Sequence, residues 1–333
     1  MKLVLPMAGY GARLRPHTWS KPKPLISVAG KPVLAHFLDS LPRLAQFDEA
    51  IFIVGYLGDQ VKQYVSKHYP QLNARYVVQP ELSGQSHAIW LAREGLQGPA
   101  LLGFVDTWIE TDFSGLDAEG VIWVKEVEDP RRFGLVELGQ DGWVRRLIEK
   151  PQDPQSNLAV VGFYYFPEVA NLLEAIERQM ASGTTLKGEY FLADAINLLL
   201  QAGVRVRAQP VQVWQDFGTP SAILEANRYL LDHGRDNSQD VPLEKGVRIE
   251  PPAYVDPTAS IHESVIGPHA SIGPGCRIER SQIRNSIVEA DTNITGSTLT
   301  ASLIGQAARV ADFVGSLNIG DSSDVRGTAE KAQ

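Results

Sequence analysis

Residues 3–8 read LVLPMA, a short apolar run that leads directly into a glycine-containing loop. Over roughly the first 230 residues, short apolar runs of this kind alternate with amphipathic stretches. They include residues 32–44 (PVLAHFLDSLPRL), 50–56 (AIFIVGY), 59–69 (DQVKQYVSKHY), 74–79 (ARYVVQ), 87–96 (HAIWLAREGL) and 100–105 (ALLGFV). The alternation is typical of βαβ units around a mainly parallel sheet with helices on its faces. Because ligands of such sheets bind at the carboxyl ends of the strands, we expect functional residues in the loops that follow them.

A different pattern begins after the polar run at residues 232–242 (DHGRDNSQDVP). From Val255 onward apolar residues recur at steps of six, for example from Ile266 to Ile272 to Ile278, although some steps are five. A six-residue period suits a parallel β-helix, in which each face of a three-sided prism contributes one hexapeptide. A generic small β-domain is the alternative interpretation. We therefore predict an α/β domain over residues 1–232, a linker over 233–250, a β-helix over 251–327 and a disordered tail over 328–333.

The composition restricts the classes of partner. The chain has 333 residues, and its 39 acidic against 31 basic residues give a formal net charge of -8. This balance argues against a broad surface for nucleic acid or an anionic membrane, so a phosphate site must be a local cluster of cations. Cys276 is the single cysteine, which excludes an intrachain disulfide and fits a reducing cytoplasm. No window approaches 18 uncharged apolar residues, and we interpret the opening segment as a buried strand, not a signal peptide.

The loop at residues 7–23 (MAGYGARLRPHTWSKPK) combines glycines with positive charge. Its glycines allow a tight turn with exposed backbone N–H groups, an arrangement that binds phosphate. Four cations follow closely, so a polyanion is the expected ligand: Arg13, Arg15, Lys21 and Lys23. A dinucleotide fingerprint would need a third glycine where Leu14 stands, and a P-loop would need Ser or Thr where Pro32 follows Lys31. A solvated turn with charged neighbours explains the loop equally well if it is taken alone.

The longer segment at residues 7–25, MAGYGARLRPHTWSKPKPL, resembles the signature of the sugar nucleotidyltransferase family. The usual form of that signature is Ala-Gly-Gly-x-Gly-Thr-Arg-Leu-x-Pro, then Thr, then Pro-Lys-Pro-Leu. Further segments match the family in order: residues 79–89 (QPELSGQSHAI), 104–110 (FVDTWIE), 129–138 (DPRRFGLVEL), 149–166 (EKPQDPQSNLAVVGFYYF), 188–196 (GEYFLADAI) and 213–219 (VWQDFGT). The resemblance covers about residues 1–230, and the coiled tail is similar to the left-handed β-helix that many members append.

The resemblance implies both a fold and a reaction. The fold is a Rossmann-like, doubly wound mixed sheet of the nucleotide-diphospho-sugar transferase type, followed by a left-handed parallel β-helix. The reaction is Mg²⁺-dependent: a hexose-1-phosphate, by default glucose-1-phosphate, attacks the α-phosphorus of dTTP or UTP and pyrophosphate leaves in line. Because this chemistry asks for little covalent work by the protein, positioning and charge neutralisation provide the acceleration.

The resemblance implies roles for two of the cationic residues of the loop. Arg13 is similar to the arginine that holds the pyrophosphate end of the nucleotide. Lys23 is similar to the lysine that reaches the phosphates near the attacked phosphorus. Lys21 and Arg15 remain open, since each could contact phosphate or be only surface charge.

Asp106 and Asp216 are the implied metal ligands. Asp106 follows the apolar run at residues 100–105, and Asp216 follows the short strand at residues 211–214. Two hard carboxylates, with phosphate oxygens and water completing the octahedron, form a set of ligands that Mg²⁺ accepts. An aspartate at a strand end is by itself more often a cap, and only the pair of motifs favours metal binding.

The sugar and the base have their own implied contacts. Glu149 is expected to bind the sugar hydroxyls and Lys150 the sugar phosphate. Gly134 would let the backbone approach the sugar, unless it only serves a hairpin turn, and Val160 would line the other side. For the base and nucleoside, the resemblance assigns Gln79 and Gly84 as the recognition pair, with packing or backbone contacts from Leu5, Ala8, Gly9 and Gly11. Since a glutamine amide donates and accepts together, it suits uracil or thymine.

The sequence departs from the family signature at residues that are expected to lie near the nucleotide. Ala8 replaces the first glycine of the usual pair, Ala12 stands where threonine is usual, and Val105 precedes Asp106 where glycine is common. The charged groups are intact, so these changes put only the choice of nucleotide in doubt. His87 receives no catalytic role.

The tail leaves two further hypotheses open. We expect it to act as a scaffold or to assemble a homo-oligomer, but β-helix tails can also host acetyltransferase chemistry. Acyl transfer needs a positioned general base, and His262 and His269 are the histidines within the coils. A non-catalytic sugar-nucleotide sensor is the other alternative. Loss of a charged site residue would be its usual mark, yet all of them are present.

Overall fold

The structure is a computed structural model that describes residues 1–41, 44–116, 118–183, 185–242 and 245–327. The tail at 328–333, for which the sequence predicts disorder, lies outside the described residues. Within the described ranges, no helix is long and apolar enough to cross a membrane. The chain divides into two compact units: residues 1–10 with 37–214, and residues 11–36 with the chain from 215 onward.

Helices and strands alternate through the first two thirds of the chain. The strands are β1 (Lys2–Pro6), β2 (Ser27–Val28), β3 (Lys31–Pro32), β4 (Glu49–Val54), β5 (Ala74–Val78), β6 (Ala100–Gly103), β7 (Thr107–Glu110), β8 (Gly120–Glu126), β9 (Gly134–Leu138), β10 (Val144–Glu149), β11 (Leu158–Phe166), β12 (Val206–Pro210) and β13 (Val213–Asp216). The helices are α1 (Val33–Ser40), α2 (Gly58–His68), α3 (Gln85–Leu91), α4 (Val169–Ser182), α5 (Leu192–Gln201) and α6 (Pro220–Leu230). Short 3-10 turns cover Ala12–Leu14, Lys23–Leu25, Leu44–Gln46 and Pro130–Arg132, and a kinked turn covers Leu231–Arg235.

The first unit is built on a nine-stranded mixed sheet. Its strands follow the order β10-β9-β11-β6-β1-β4-β5, while β8 pairs with β11 and β12 pairs with β8. The neighbours β6, β1, β4 and β5 run parallel, whereas β11 is antiparallel to both β6 and β8. The predicted α/β fold with a mixed sheet is therefore confirmed.

The parallel strands are apolar because helices cover the sheet. Leu3 and Leu5 of β1 are fully buried, as is Phe52 of β4. Among the covering helices, α4 begins at a side-chain cap, where the Glu168 carboxylate accepts from the Ala170 N–H at 3.1 Å. It ends at Gly183, whose φ of 66° is the left-handed conformation that closes helices. The apolar stripe between these caps packs into the core of the unit.

The second unit contains the hairpin of β2 and β3, helix α6 and a coil of short strands. These strands are β14 (Arg248–Ile249), β15 (Ala253–Val255), β16 (Ser260–His262), β17 (Val265–Ile266), β18 (Ala270–Ile272), β19 (Arg277–Glu279), β20 (Gln282–Arg284), β21 (Ile287–Val288), β22 (Asn293–Thr295), β23 (Thr298–Thr300), β24 (Leu303–Ile304), β25 (Arg309–Ala311), β26 (Val314–Gly315), β27 (Asn318–Ile319) and β28 (Asp324–Arg326). Every third strand belongs to the same five-stranded sheet, which gives three sheets around one axis. The strand pairs are parallel throughout, as expected for the β-helix that the six-residue period predicts.

The register of the coils explains why the six-residue period is imperfect. Successive partners in one sheet run from Ile261 to Ile278, Ile294, Val310 and Val325, so the coils advance by 17, 16, 16 and then 15 residues. Three full hexapeptides would need 18. These apolar residues stack into the core of the prism, and Ile278 and Ile294 are fully buried. The shortfall is absorbed at the corners, where residues such as Asp291 and Asp312 adopt left-handed φ angles of 59° and 52°.

Serine ladders satisfy backbone groups inside the corners. The hydroxyl of Ser264 accepts from the Ser281 N–H at 3.0 Å, and the hydroxyl of Ser281 accepts from the Ser297 N–H at 3.1 Å. A second ladder at another corner joins Ser286 to Ser302 in the same way. Buried N–H groups need such partners. Cys276 is buried beside these coils, and burial raises the pKa of its thiol to about 11, which leaves it protonated at neutral pH.

Replacing Ile294 tests the stacked core of the β-helix. Ile294→Ala removes a fully buried side chain between Ile278 and Val310, so we expect unfolding free energy to fall by about 2–5 kcal/mol. The adjacent exposed residue supplies the control: Asn293→Ala should change it by less than about 0.5 kcal/mol. The measurement is urea unfolding of both variants beside the parent chain. Equal stability of the two variants would contradict a packed prism.

Candidate active site

The carboxyl ends of β1, β5 and β6 and the loops that follow them carry the predicted nucleotide and metal residues of the first unit. Because β6, β1, β4 and β5 are parallel, their following loops share one edge of the sheet. Leu5 is buried within β1, and the Met7 N–H continues the pairing by donating to the Ile53 carbonyl at 2.8 Å. Ala8 is buried, whereas Gly9 is exposed with open space where a side chain would stand.

Gln79 lies directly after β5 and is almost fully buried. Its side-chain NH₂ donates to the carbonyl of Gly84 at 3.1 Å and lies 3.5 Å from Nδ1 of His87. The structure therefore brings together the two residues predicted to recognise the base.

Tyr190 supports this loop, a feature that sequence reasoning missed. Its N–H donates to the Ser83 carbonyl at 2.9 Å, and its carbonyl accepts from the Ser86 N–H at 3.1 Å. Gly84 has a φ of 101°, and a Cβ there would lie 2.5 Å from both the nitrogen and the oxygen of Tyr190. The family motif at residues 188–196 includes Tyr190 and could have drawn attention to it. The motif does not show that Tyr190 contacts the loop through its backbone atoms.

Asp106 stands in a tight turn after β6. The Phe104 N–H donates to the Gly162 carbonyl at 2.9 Å, and the Thr107 N–H returns to the Phe104 carbonyl at 3.2 Å. Strand β7 begins at Thr107, whose hydroxyl accepts from the Trp214 indole at 2.5 Å. Asp106 is thus half-buried at the same sheet edge as the loops after β1 and β5.

Glu149 and Gly134, the predicted sugar contacts, face each other across β10 and β9. Lys150 adopts a φ of 43°, and its Nζ lies 3.0 Å from Oε1 of Glu149. Val160 is half-buried on the adjacent strand β11. Burial, together with the negative charge of Glu149, raises the pKa of Asp194, a nearby acid that the sequence did not single out.

In the second unit, the cationic loop brings Gly11 and Lys23 together. Gly11 has a φ of 60°, and a Cβ there would lie 3.0 Å from Cγ2 of Thr18 and 3.2 Å from Cβ of Lys23. The Thr18 hydroxyl closes the loop by donating to the Gly11 carbonyl at 3.0 Å. The exposed Arg15 contrasts with Lys21, whose Nζ lies 3.0 Å from the carboxylate of Glu289.

Arg13 and Asp216 flank Gly218 in this unit. The Gly218 N–H donates to Oδ1 of Asp216 at 2.8 Å. A Cβ on Gly218 would lie 2.8 Å from that same oxygen and 2.9 Å from Nη2 of Arg13. The sequence predicted the two charged residues and missed Gly218, although the motif at residues 213–219 contains it.

Comparisons with known proteins agree with this geometry. Residues 2–233 match the family model described as nucleotidyl transferase. The glucose-1-phosphate thymidylyltransferase of Streptomyces antibioticus is 31% identical over 359 residues, which cover 98% of this chain and 99% of that protein. The bifunctional protein GlmU of Methanocaldococcus jannaschii is 35% identical over 237 residues, 70% of this chain but 55% of that protein.

A solved structure shares the fold. The nucleoside-diphosphate-sugar pyrophosphorylase of Vibrio cholerae RC9 superposes with a TM-score of 0.60 at 23% identity, covering 68% of this chain and 99% of that one. The chain belongs to the nucleotidyl transferase family, and the resemblance described from its motifs is confirmed. It is a nucleotidyltransferase with a β-helix tail.

Gly84→Ala tests the contact between the Tyr190 backbone and the loop that contains Gln79 and Gly84. The new Cβ meets the Tyr190 backbone at 2.5 Å, so the loop must move and we expect nucleoside triphosphate binding to weaken about tenfold or more. Gly95→Ala is the matched control, since Gly95 also has a positive φ (72°) but has open space around it. Isothermal titration calorimetry gives the dissociation constants. If both variants bind as the parent does, the loop has no such constraint.

Gly218→Ala tests the packing around the Arg13 guanidinium and the Asp216 carboxylate. The added methyl displaces both groups, and we expect kcat/KM for pyrophosphate release to fall about 10²-fold with an unchanged unfolding midpoint. The exposed neighbour Ser221, changed to alanine, should keep parental kinetics. Parental activity in Gly218→Ala would show that the two charged groups need no fixed position.

Proposed function

We propose that the enzyme joins a hexose-1-phosphate, with glucose-1-phosphate as the first candidate, to dTTP or UTP and releases pyrophosphate. The observation that carries the proposal is the placement of the predicted residues in each unit. In the first, the nucleotide residues and Asp106 lie at the end of β1 or follow β5 and β6 at one edge of the sheet, and the sugar residues lie on or next to the antiparallel strands β9, β10 and β11. In the second, they gather around Gly11 and Gly218. The full-length similarity to a glucose-1-phosphate thymidylyltransferase supports the choice of substrates.

For the nucleotide, we assign base recognition to Gln79 and Gly84 and nucleoside packing to Leu5, Ala8 and Gly9. The hydrogen bond between Gln79 and Gly84 supports this, because it fixes the amide before any ligand binds. A fixed acceptor favours a pyrimidine with a ring N–H.

For the reaction, we assign Arg13 and Lys23 to the phosphates and Gly11 to the backbone turn beside them. Arg13 stabilises charge on the departing pyrophosphate, and Lys23 orients the attacked α-phosphate. Glu149, Lys150, Gly134 and Val160 bind the sugar phosphate. The pair of Glu149 and Lys150 supports this role, since it places an acceptor for hydroxyls next to a cation for phosphate.

A divalent cation, which we propose is Mg²⁺, completes the set, with Asp106 and Asp216 as its ligands. Among the described residues, no three His, Cys, Asp or Glu side chains group into a metal site. This sparse donor set fits Mg²⁺, which keeps water and takes substrate phosphates with one or two carboxylates. When bound, the ion neutralises charge on the phosphates. The Gly218 N–H orients the Asp216 carboxylate, and the turn after β6 fixes Asp106.

Pyrophosphate release across a matrix of nucleotides and sugar phosphates tests the function. We expect Mg²⁺-dependent turnover with dTTP or UTP and glucose-1-phosphate, and loss of turnover after chelation. Asp106→Asn and Asp216→Asn should each lower kcat by about 10²- to 10³-fold, because the charge on one metal ligand is lost. Asp141→Asn, on an exposed turn, is the control that should stay at parental rates. Tight binding of a nucleotide sugar, without turnover of any pair of nucleotide and sugar phosphate, would favour the non-catalytic sensor instead.

Similarity to bifunctional GlmU proteins, which in one case extends over 91% of this chain, keeps an acetyltransferase in the coils as a second candidate. The coil histidines have partners: His262 lies 2.9 Å from the Ser260 hydroxyl, and His269 lies 2.9 Å from Asp232. We favour a scaffold, and we propose a homo-oligomer assembled through the tail. Incubation with acetyl-CoA and an amino-sugar phosphate decides between them, since release of free thiol would show acyl transfer. Light scattering gives the subunit count.

A further inference from the structure

Glu289 is a buried carboxylate on the β-helix that contacts the cationic loop twice. Its Oε2 lies 3.0 Å from Nζ of Lys21, and its Oε1 accepts from the Ser27 N–H at 3.1 Å. Both members of the ion pair are shielded, with 12% of the Lys21 and 10% of the Glu289 side chain exposed. The two contacts lie on either side of the 3-10 turn at Lys23–Leu25, the turn that carries the phosphate-binding lysine.

Glu289 occupies a coil position that is otherwise glycine or a short acid. Backbone hydrogen bonds stack Asp256, Gly273, Glu289, Gly305 and Gly320 in one column, each directly after a strand of the same sheet. In this column only the third coil has a long acidic side chain. Since burying a carboxylate costs free energy unless it is paired and hydrogen-bonded, a role confined to coil stacking does not account for it.

Later coils hold the preceding part of the loop. His17 Nε2 lies 2.7 Å from Oδ1 of Asn318, and the Ser20 hydroxyl donates to the Asp321 carboxylate at 2.5 Å. A Cβ on Gly320 would lie 2.9 Å from Cβ of Pro16, so the loop touches the coil surface there. Burial lowers the pKa of His17, which keeps this contact neutral at pH 7.

We propose that Glu289 is a positioning residue that fixes Lys23 by clamping the loop on both sides of its turn. The inference rests on the proposed function, since it concerns how the phosphate-binding lysine is held. Lys21 is then a structural cation and no phosphate ligand, which is one of the two roles that the sequence left open. The β-helix therefore helps to hold the cationic loop that carries Lys23.

The mutational test separates the two halves of the clamp. Glu289→Gln keeps the shape and an acceptor for the Ser27 N–H but loses the charge, whereas Glu289→Ala removes both contacts. We expect kcat/KM for the nucleotide to fall about tenfold and about 10²-fold respectively, since small displacements of a positioned group have effects of this size. Glu250→Gln is the matched control: Glu250 pairs with Arg248 and Arg284 on the same β-helix. It should keep parental kinetics.

The double variant distinguishes positioning from direct phosphate binding. Lys21→Met leaves a shielded carboxylate unpaired, and adding Glu289→Gln removes that charge, so the double variant should recover activity relative to Lys21→Met. If Lys21 bound phosphate, the double variant would be no better than Lys21→Met, and the proposal would be overturned. Effects of Glu289→Ala no larger than those of Glu250→Gln would overturn it as well.

Hydrogen exchange provides a readout that does not depend on turnover. Glu289→Ala should accelerate amide exchange at residues 21–28 by about tenfold or more, while amides of β4 and β5 and all amides of Glu250→Gln stay at parental rates. Unchanged exchange at residues 21–28 would exclude the clamp. Absent turnover in the parent chain would instead contradict the proposed function, so the two failures are distinguishable.

Discussion

The backbone pairing of β1 is the constraint on which the first unit depends. Its N–H and carbonyl groups are shared between β4 on one side and β6 on the other, and its side chains are buried. A strand enclosed in this way cannot shift along its neighbours without breaking hydrogen bonds on both sides and the packing of side chains that are buried on both faces. The parallel neighbours therefore end at a common edge, which places the loops after β6, β1 and β5 along one side of the sheet, with β4 between β1 and β5.

The same parallel pairing builds the second unit in a different geometry. Each coil strand there has only two or three residues, too few to be stable alone, and its groups are satisfied by the coils on either side. A buried column of isoleucine and valine fills the prism, while serine hydroxyls serve the corners. Stability comes from repetition, so each coil offers its neighbours a surface of fixed spacing. A loop that lies on this surface is held by positions that cannot move independently.

The sequence predicted the overall fold better than the details of the coils. Hydrophobic alternation predicted the mixed α/β sheet, and the six-residue period predicted the coils, because both patterns report which face of an element is buried. The five-residue steps were visible in the sequence, but the serine ladders were not predicted, since a serine spacing of 17 and then 16 residues is recognisable only once the register is known.

For the site, the sequence singled out side chains and missed backbone. The charged residues and Gln79 were predicted from motifs, and the structure brings Gln79 next to Gly84 and places both Arg13 and Asp216 beside Gly218. Tyr190 escaped notice because its contribution comes from its N–H and carbonyl, which every residue has. Glu289 escaped because its partner Lys21 lies more than 250 residues away in the chain, and no local pattern links them.

The choice of a charged clamp over an apolar contact has a geometric reason. Apolar contacts are non-directional and would let the loop slide along the coils, whereas an ion pair combined with a backbone hydrogen bond is satisfied at one position only. The strands after which Glu289 and Gly320 stand are two coils apart, a separation of about 10 Å at the usual spacing of parallel strands. The four residue steps from His17 to Lys21 span at most about 14 Å. Residues 15–20 form turns, in which the Trp19 N–H donates to the Pro16 carbonyl at 3.2 Å, so this short segment leaves little slack between the two sets of contacts. The coil spacing therefore limits where the turn at Lys23 can begin.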